Sequence, residues 1–346
     1  MDSRPVIAVT IGDPAGVGPE IVARAVGNPE LHHRARLLVV GSEPVMARAV
    51  ELVGARLVIH RVESPDQGAY GPGTLNLLEP AGIRLDSLQP GIVQAEAGLA
   101  SFRYMETAIS LALQHRIDAI ATAPLNKEAL KAAGVPYIDH TAMLAQMTNS
   151  PDPMTLFVLD NLRIFFVTRH VSLRDAIGQI TQARVLKSLQ RADREMCRMG
   201  MSQARIAVAG LNPHAGEGGL FGTEEAEILA PAVAEARSQG VNAFGPEPAD
   251  SVFHMNLQGR FDAVLSLYHD QGHIAAKTRD FERTVSLTVG IPFLRSSVDH
   301  GTAFDIAWKG IASAISMEEA IRVAAQYAPL YKGSTAALEP DSHETP

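Results

Sequence analysis

Three histidines in this chain each stand just past a short apolar, β-branched run. RIFFVTRH ends in His170, RIAVAGLNPH ends in His214, and AVLSLYHD carries His269. Such runs read as buried strands. Strands of a parallel sheet end at a common edge, where ligands bind. Three imidazoles delivered there could hold one divalent ion and leave a position open to substrate. The set suits Zn, Co, Ni or Mn, with Mg also admitted. Asp270, beside His269, and Asp250, in GPEPADSVF, are placed to act as a further ligand or to orient one. A lone histidine is more often a surface or satisfied core residue. Three in one context shift the balance towards a metal. His32, His33 and His343 read as solvent-facing or tail residues, and His273 as the rim of the site.

Five further segments carry chemistry. TIGDPAGVGPE, residues 10–20, follows a strand and opens a helix. Its glycines could let backbone approach a ligand at a helix start that favours anions. It is neither a dinucleotide fingerprint nor a P-loop, because the spacing fails and no lysine follows. ATAPLNKEAL places Asn126 and Lys127 at the same sheet edge, or simply caps a helix. DHTAML offers His140 and Thr141 to a polar substrate, with N-capping by Asp139 as the plainer reading. SSVDHGTAFDIAWKGIA contains His300 and the small-residue turn Gly301, Thr302 and Ala303, and could present Asp305 to a ribose. Lys277 and Arg295 follow two strand-like runs and suit a phosphate or carboxylate.

The elements that must position these groups alternate in type. Apolar runs at 5–11, 36–41, 57–61, 118–123, 163–168, 205–211, 262–268 and 284–289 read as strands. Amphipathic patterns at 19–27, 43–53, 97–115, 127–133, 182–199, 224–239 and 317–329 read as helices, with Thr181 an N-cap and Gly200 a stop. The alternation predicts an α/β fold with largely parallel sheets. With 346 residues, 46% of them hydrophobic, the chain supports roughly two domains. The net charge of −8 comes without a basic stripe, so nucleic acid is not an expected partner. No run is long enough to cross a bilayer, and no signal peptide is read. Cys197 is the single cysteine and is expected to pack within the helix at 182–199. Together these features favour a cytoplasmic protein. The segment 333–346 lacks periodicity and reads as a disordered tail.

The motifs TIGDPAGVGPE, TAPLNK, DHTAMLA, LNPHAGEGGLFGTEE, YHDQGHIAAK and PFLRSSVDHGTA resemble the signatures of the 4-hydroxythreonine-4-phosphate dehydrogenase family. The resemblance runs from about residue 5 to about residue 330. It implies two α/β/α lobes around a cleft, as in isopropylmalate and isocitrate dehydrogenases. Residues 1–130 with 295–332 would form the first lobe and carry the cofactor loop. Residues 131–294 would form the second, with the metal histidines and the dimer contacts. The resemblance implies a homodimer with a shared metal site: His170, His214 and His269 match the ligands, and the third comes from the other subunit. It gives His140 and Thr141 to substrate, Lys277 and Arg295 to a phosphate, and HGTAFD (His300, Gly301, Thr302, Ala303, Asp305) to the adenosine of NAD or NADP.

TAPLNKEAL, YHDQGHI and HGTAFDIAWKG are most similar to a second branch of the family, which acts on 4-phosphorylated four-carbon sugar acids such as 4-phospho-D-threonate. Two positions depart from the family pattern. Ile138-Asp139 replaces Pro-Gly before the His-Thr pair, and Ser286 replaces a phosphate-binding Asn. The implied reaction is metal-dependent, NAD(P)-linked oxidation of a secondary alcohol followed by loss of CO₂, on a phosphorylated four-carbon 3-hydroxy acid. Asp250, Lys127 and Asp270 are the candidates for proton transfer. A dehydrogenase of an unphosphorylated, carboxylated cis-dihydrodiol of the terephthalate type is the alternative within this chemistry. A metal-dependent hydrolase using the same histidines is the alternative from another class.

Overall fold

A computed structural model describes residues 2–331. Twelve strands form one sheet: β1 (Val6–Thr10), β2 (Arg36–Val40), β3 (Val58–Arg61), β4 (Thr74–Leu78), β5 (Ala119–Thr122), β6 (Met154–Leu159), β7 (Leu162–Phe166), β8 (Ile206–Ala209), β9 (Ala243–Glu247), β10 (Ala263–Ser266), β11 (Val285–Val289) and β12 (Leu294–Ser297). Their order across the sheet is β3-β4-β2-β1-β5-β12-β11-β6-β7-β10-β8-β9. Helices cover the sheet, so the expected α/β class holds. β1, VIAVT, shows why the inner strands read clearly. Both its faces are covered, and every residue is apolar or a buried threonine. β3, VIHR, lies at the end of the order, and its residues are exposed or half-buried.

The expectation of a largely parallel sheet is corrected at its centre. Pairings are parallel from β3 to β12, antiparallel across β12/β11, β11/β6 and β6/β7, and parallel again from β7 to β9. Three reversals turn β7, β10 and β8 opposite to β5 and β12. The three histidines therefore follow strands of one direction, while Lys127 and the loop after β12 follow strands of the other. The same-edge placement of Asn126 and Lys127 with the histidines does not hold along the sheet. The two ends still lie within reach of each other's charges. The charges of Lys127 and Asp139 both act on His170.

The registers of the central strands place polar residues in rows. Thr288 of β11 is opposite Arg295 of β12 and also opposite Thr155 of β6. Ser286 is opposite Ser297. Directly paired residues share a face, and so do residues two apart on one strand. Ser286, Thr288, Arg295, Ser297 and Thr155 thus line one side.

Several helix ends follow the sequence. Thr181 accepts a hydrogen bond from Arg184 N and opens the helix Gln182–Arg198, and Gly200 stops it with φ +84°. Two expectations fail. Cys197 lies on the outward face of that helix and is exposed. His32 is buried, because its Nε2 reaches back to the Val26 carbonyl at 2.7 Å and so satisfies the ring inside the fold. His343 and the segment 333–346 lie outside the described residues. Among those residues, no helix is long and apolar enough to cross a membrane.

Candidate active site

The loop 298–314 follows β12 and carries HGTAFD. It is fastened from below by the segment TIGDPAGVGPE. Val17 N donates to the Thr302 carbonyl at 3.0 Å, and Trp308 Nε1 donates to the Pro14 carbonyl at 3.0 Å. The buried Glu20 carboxylate accepts from Gly310 N at 2.7 Å and from Trp308 N. The Arg48 guanidinium lies 4.5 Å from the Trp308 ring centroid. The glycines permit this close packing. A Cβ on Gly16 would come within 2.9 Å of Thr302, and one on Gly18 within 2.0 Å of the Ile11 carbonyl oxygen. Chain approaches chain here, which corrects the reading of these glycines as a route for backbone to reach a ligand. The amide of Val17, at the helix start, is already spent on Thr302. Gly301 and Asp305 are exposed on the secured loop, and His300 Nδ1 donates to the Gly301 carbonyl at 2.9 Å.

Arg295 sits in the polar row with only 5% of its surface exposed. Its Nε and Nη2 donate to Thr122 Oγ1 at 3.0 and 2.6 Å, and its Nη1 donates to Thr288 Oγ1 at 3.1 Å. Burial pulls its pKa down to about 10, against the opposing charges of Asp139 and Asp299. A buried guanidinium held only by hydroxyls is short of a counter-charge. His140 lies beside it. Desolvation, helped by the Arg295 charge, holds that imidazole well below its usual pKa, so it is neutral. Asp139 caps the helix His140–Met147 by accepting from Ala142 N at 2.9 Å, and its other oxygen is 4.0 Å from Lys127 Nζ. The capping reading of Asp139 therefore holds. Asn126 likewise caps its helix by accepting from Ala129 N. Lys277 forms a salt bridge with Asp299 at 2.6 Å, so its charge is partly compensated within the chain.

The histidines are only partly gathered. The ring centroids of His170 and His269 are 5.9 Å apart. Two imidazoles bound to one ion through bonds of about 2.0–2.1 Å have a comparable separation. His269 Nδ1 donates to Asp270 Oδ1 at 2.6 Å, which leaves Nε2 for a ligand, and the ring stacks on His273 at 3.6 Å. His170 is held below its usual pKa by burial, then by Arg169 and His269, which favours the neutral form a metal requires. Burial likewise takes His273 down to about 4. A cavity of about 380 Å³ runs along His269, Asp270, His273, Ile274, Lys277 and Thr278.

His214 stands apart. It lies in a loop whose backbone is left-handed from His214 to Gly218, and its ring neighbours Phe221 at 6.1 Å. Glu225 braces that loop by accepting from Leu211 N at 2.8 Å and Asn212 N at 2.7 Å. Burial would raise the Glu225 pKa, but these bonds bring it below its usual value. The helix Ala249–Leu257 packs against the loop and carries the exposed Asp250 in its first turn. Among the described residues, no group of three His, Cys, Asp or Glu is close enough to hold a metal ion. The donor types suit one, since a neutral imidazole and a carboxylate-backed imidazole face each other. One chain does not assemble three donors.

Sequence reasoning passed over Thr122, Thr155, Thr288 and Arg169, and saw Glu20 only as an acidic residue at the positive end of a helix. Arg169 was visible beside His170 in TRH, and the threonines in alternating strand positions.

A profile of the family described as "Pyridoxal phosphate biosynthetic protein PdxA" matches residues 33–324. A relative from Symbiobacterium thermophilum, named "Putative D-threonate 4-phosphate dehydrogenase", is 54% identical over 96% of this chain and 99% of its own. A relative of the same name from Halalkalibacterium halodurans is 52% identical over 95% and 98%. The crystal structure of 4-hydroxythreonine-4-phosphate dehydrogenase from Klebsiella pneumoniae superposes with a TM-score of 0.88 at 43% identity, covering 94% of this chain and 98% of that one. A terephthalate 1,2-cis-dihydrodiol dehydrogenase from Burkholderia xenovorans superposes with a TM-score of 0.65 at 29% identity, covering 95% and 98%.

Proposed function

The chain belongs to the PdxA family, and from that premise we propose that it catalyses metal-dependent, NAD(P)-linked oxidative decarboxylation of a phosphorylated four-carbon 3-hydroxy acid of the 4-phospho-D-threonate type. The observation that carries the phosphorylated reading is Arg295, a buried guanidinium resting on Thr122 and Thr288 with a neutral imidazole beside it. A substrate phosphate supplies the missing counter-charge. Lys277, Ser286 and Thr141 complete the contacts, and the exposed Gly301 and Asp305 of the fastened loop receive the nucleotide.

His170, His214 and His269 would hold the divalent ion. When bound, the ion supplies Lewis acidity to the substrate oxygen, and the nicotinamide accepts the hydride. His140 stays neutral beside Arg295 and can share a hydrogen bond with substrate without adding charge. Asp270 is committed to orienting His269, which leaves Lys127 and Asp250 to carry the hydroxyl proton.

The separation of the histidines supports a site completed by a second copy of the chain. We place His170 and His269 on one chain and His214 on its partner. That division differs from the one implied by family resemblance, in which His269 crosses over. Exposed apolar residues around the histidines, among them Leu173, Leu220, Phe221 and Ile274, suit burial against that copy. The strand order supports the two-lobe division at residues 1–130 with 295–332 and 131–294. A single cysteine fits a reducing, cytoplasmic setting.

The test is nicotinamide reduction and CO₂ release with NAD or NADP, with and without divalent ions. The substrates are 4-phospho-D-threonate, 4-hydroxythreonine-4-phosphate and a carboxylated cis-dihydrodiol. Equal amounts of reduced nucleotide and CO₂ from a phosphorylated acid, abolished by chelation, are expected. Turnover of the dihydrodiol alone would contradict the phosphate reading.

A further inference from the structure

The polar row on the central strands holds a second guanidinium that the activity above does not use. Arg169 follows β7, beside His170, and its Nη1 donates to Thr155 Oγ1. Thr155 pairs with Thr288, which supports Arg295. Neighbouring strands are about 4.8 Å apart, so the hydroxyls that anchor the two guanidiniums are one strand apart on the same face. Among the described residues, neither arginine forms a salt bridge. Each carboxylate whose charge reaches them is engaged elsewhere: Asp139 caps a helix and faces Lys127, Asp152 pairs with Arg191, and Asp299 pairs with Lys277. Burial lowers the pKa of both arginines, against the opposing charges of Asp139 and Asp152 at Arg169 and of Asp139 and Asp299 at Arg295. A structural arginine in such a place normally meets a carboxylate. Two that meet only threonines are suited to a ligand with two anionic ends.

We propose that Arg169 binds the substrate's carboxylate end, and that its charge there selects acids with a hydroxyl, rather than an ammonium group, on the carbon next to the carboxylate. The inference rests on the reading of this site as one for a phosphorylated hydroxy acid. Arg295 takes the phosphate end, and Arg169, adjacent to His170, takes the end where CO₂ departs. A hydroxyl beside Arg169 is tolerated. An ammonium roughly 5 Å from a guanidinium in a half-buried site is disfavoured by more than tenfold.

The experiment uses the full-length enzyme with Arg169→Gln and Arg169→Lys. Values of kcat and KM are measured for 4-phospho-D-threonate and 4-hydroxythreonine-4-phosphate, and calorimetry gives the affinities of D-threonate and inorganic phosphate. The wild type should prefer the hydroxy acid by at least tenfold. Arg169→Gln should raise KM for the hydroxy acid by about ten- to a hundredfold and narrow the preference. It should weaken D-threonate while leaving inorganic phosphate unchanged, and Arg169→Lys should recover part of the loss. An equal loss on both substrates, or weakened phosphate binding, would overturn the assignment. If the wild type turns over neither phosphorylated acid, the proposed activity falls. Unchanged D-threonate affinity in either variant would then separately overturn the role of Arg169.

Discussion

The loop 298–314 and the loop 210–222 both leave a strand to carry residues of the candidate site, but they are held differently. The first is fastened by distant parts of the chain. Glu20 accepts two of its amides, Pro14 accepts the Trp308 indole, and Val17 bonds to Thr302. The second is braced close at hand by Glu225 and Asn212, and it leaves Leu220 72% exposed beside the His214 loop. The loop proposed to receive the nucleotide is therefore held in place within one chain. The histidines proposed to hold the metal are not gathered into a set of three donors among the described residues. On the proposed reading, rigidity belongs to the part that would meet the cofactor, and assembly to the part that would meet the metal.

Removing a donor should break the incomplete half most severely. His214→Ala should lose most bound metal and nearly all turnover, while nucleotide affinity measured by calorimetry stays near that of the wild type. Full metal occupancy in that variant would show that His214 is no ligand. Next in size is Arg295→Ala. Loss of one charge-assisted contact, worth roughly 1.5–3 kcal/mol, should weaken phosphorylated substrates about ten- to a hundredfold and unphosphorylated acids far less. The smallest effect should come from loosening the fastened half. Glu20→Gln replaces a carboxylate that accepts two amides. Trp308, the single tryptophan, reports on the loop directly. Acrylamide should quench its fluorescence more readily, and the nucleotide KM should rise several-fold with kcat little changed. Unaltered quenching would mean that Glu20 does not hold the loop.

The same contrast governs what the sequence reveals. β1 and β5 are legible because continuous apolar runs buried on both faces have few other readings. The caps at Asn126, Asp139 and Thr181 are legible because they act within a few residues. β6, MTLFVL, is obscured because it runs into β7 through the short turn Asp160-Asn161, and the antiparallel centre is hidden with it. The loop fastening is invisible in sequence because Glu20 lies 288 and 290 residues from its partners Trp308 and Gly310. The histidines are found by their strand-end context, but the division between chains proposed for them has no sequence signal. Arg169 hides inside the run that ends in His170, and the role proposed for it is suggested only once the register places Thr155 beside Thr288.

Mixed dimers test the shared site most directly. Inactive His170→Ala is mixed with inactive His214→Ala, and separately with inactive His269→Ala, with subunit exchange verified. If His214 comes from the partner of the chain carrying His170 and His269, the first mixture regains intact metal sites, about a quarter of the total after random pairing, with matching activity. The second mixture regains none. Recovery in the second mixture alone would place His269 on the partner instead. Recovery in neither, despite exchange, would contradict a metal site shared between two chains.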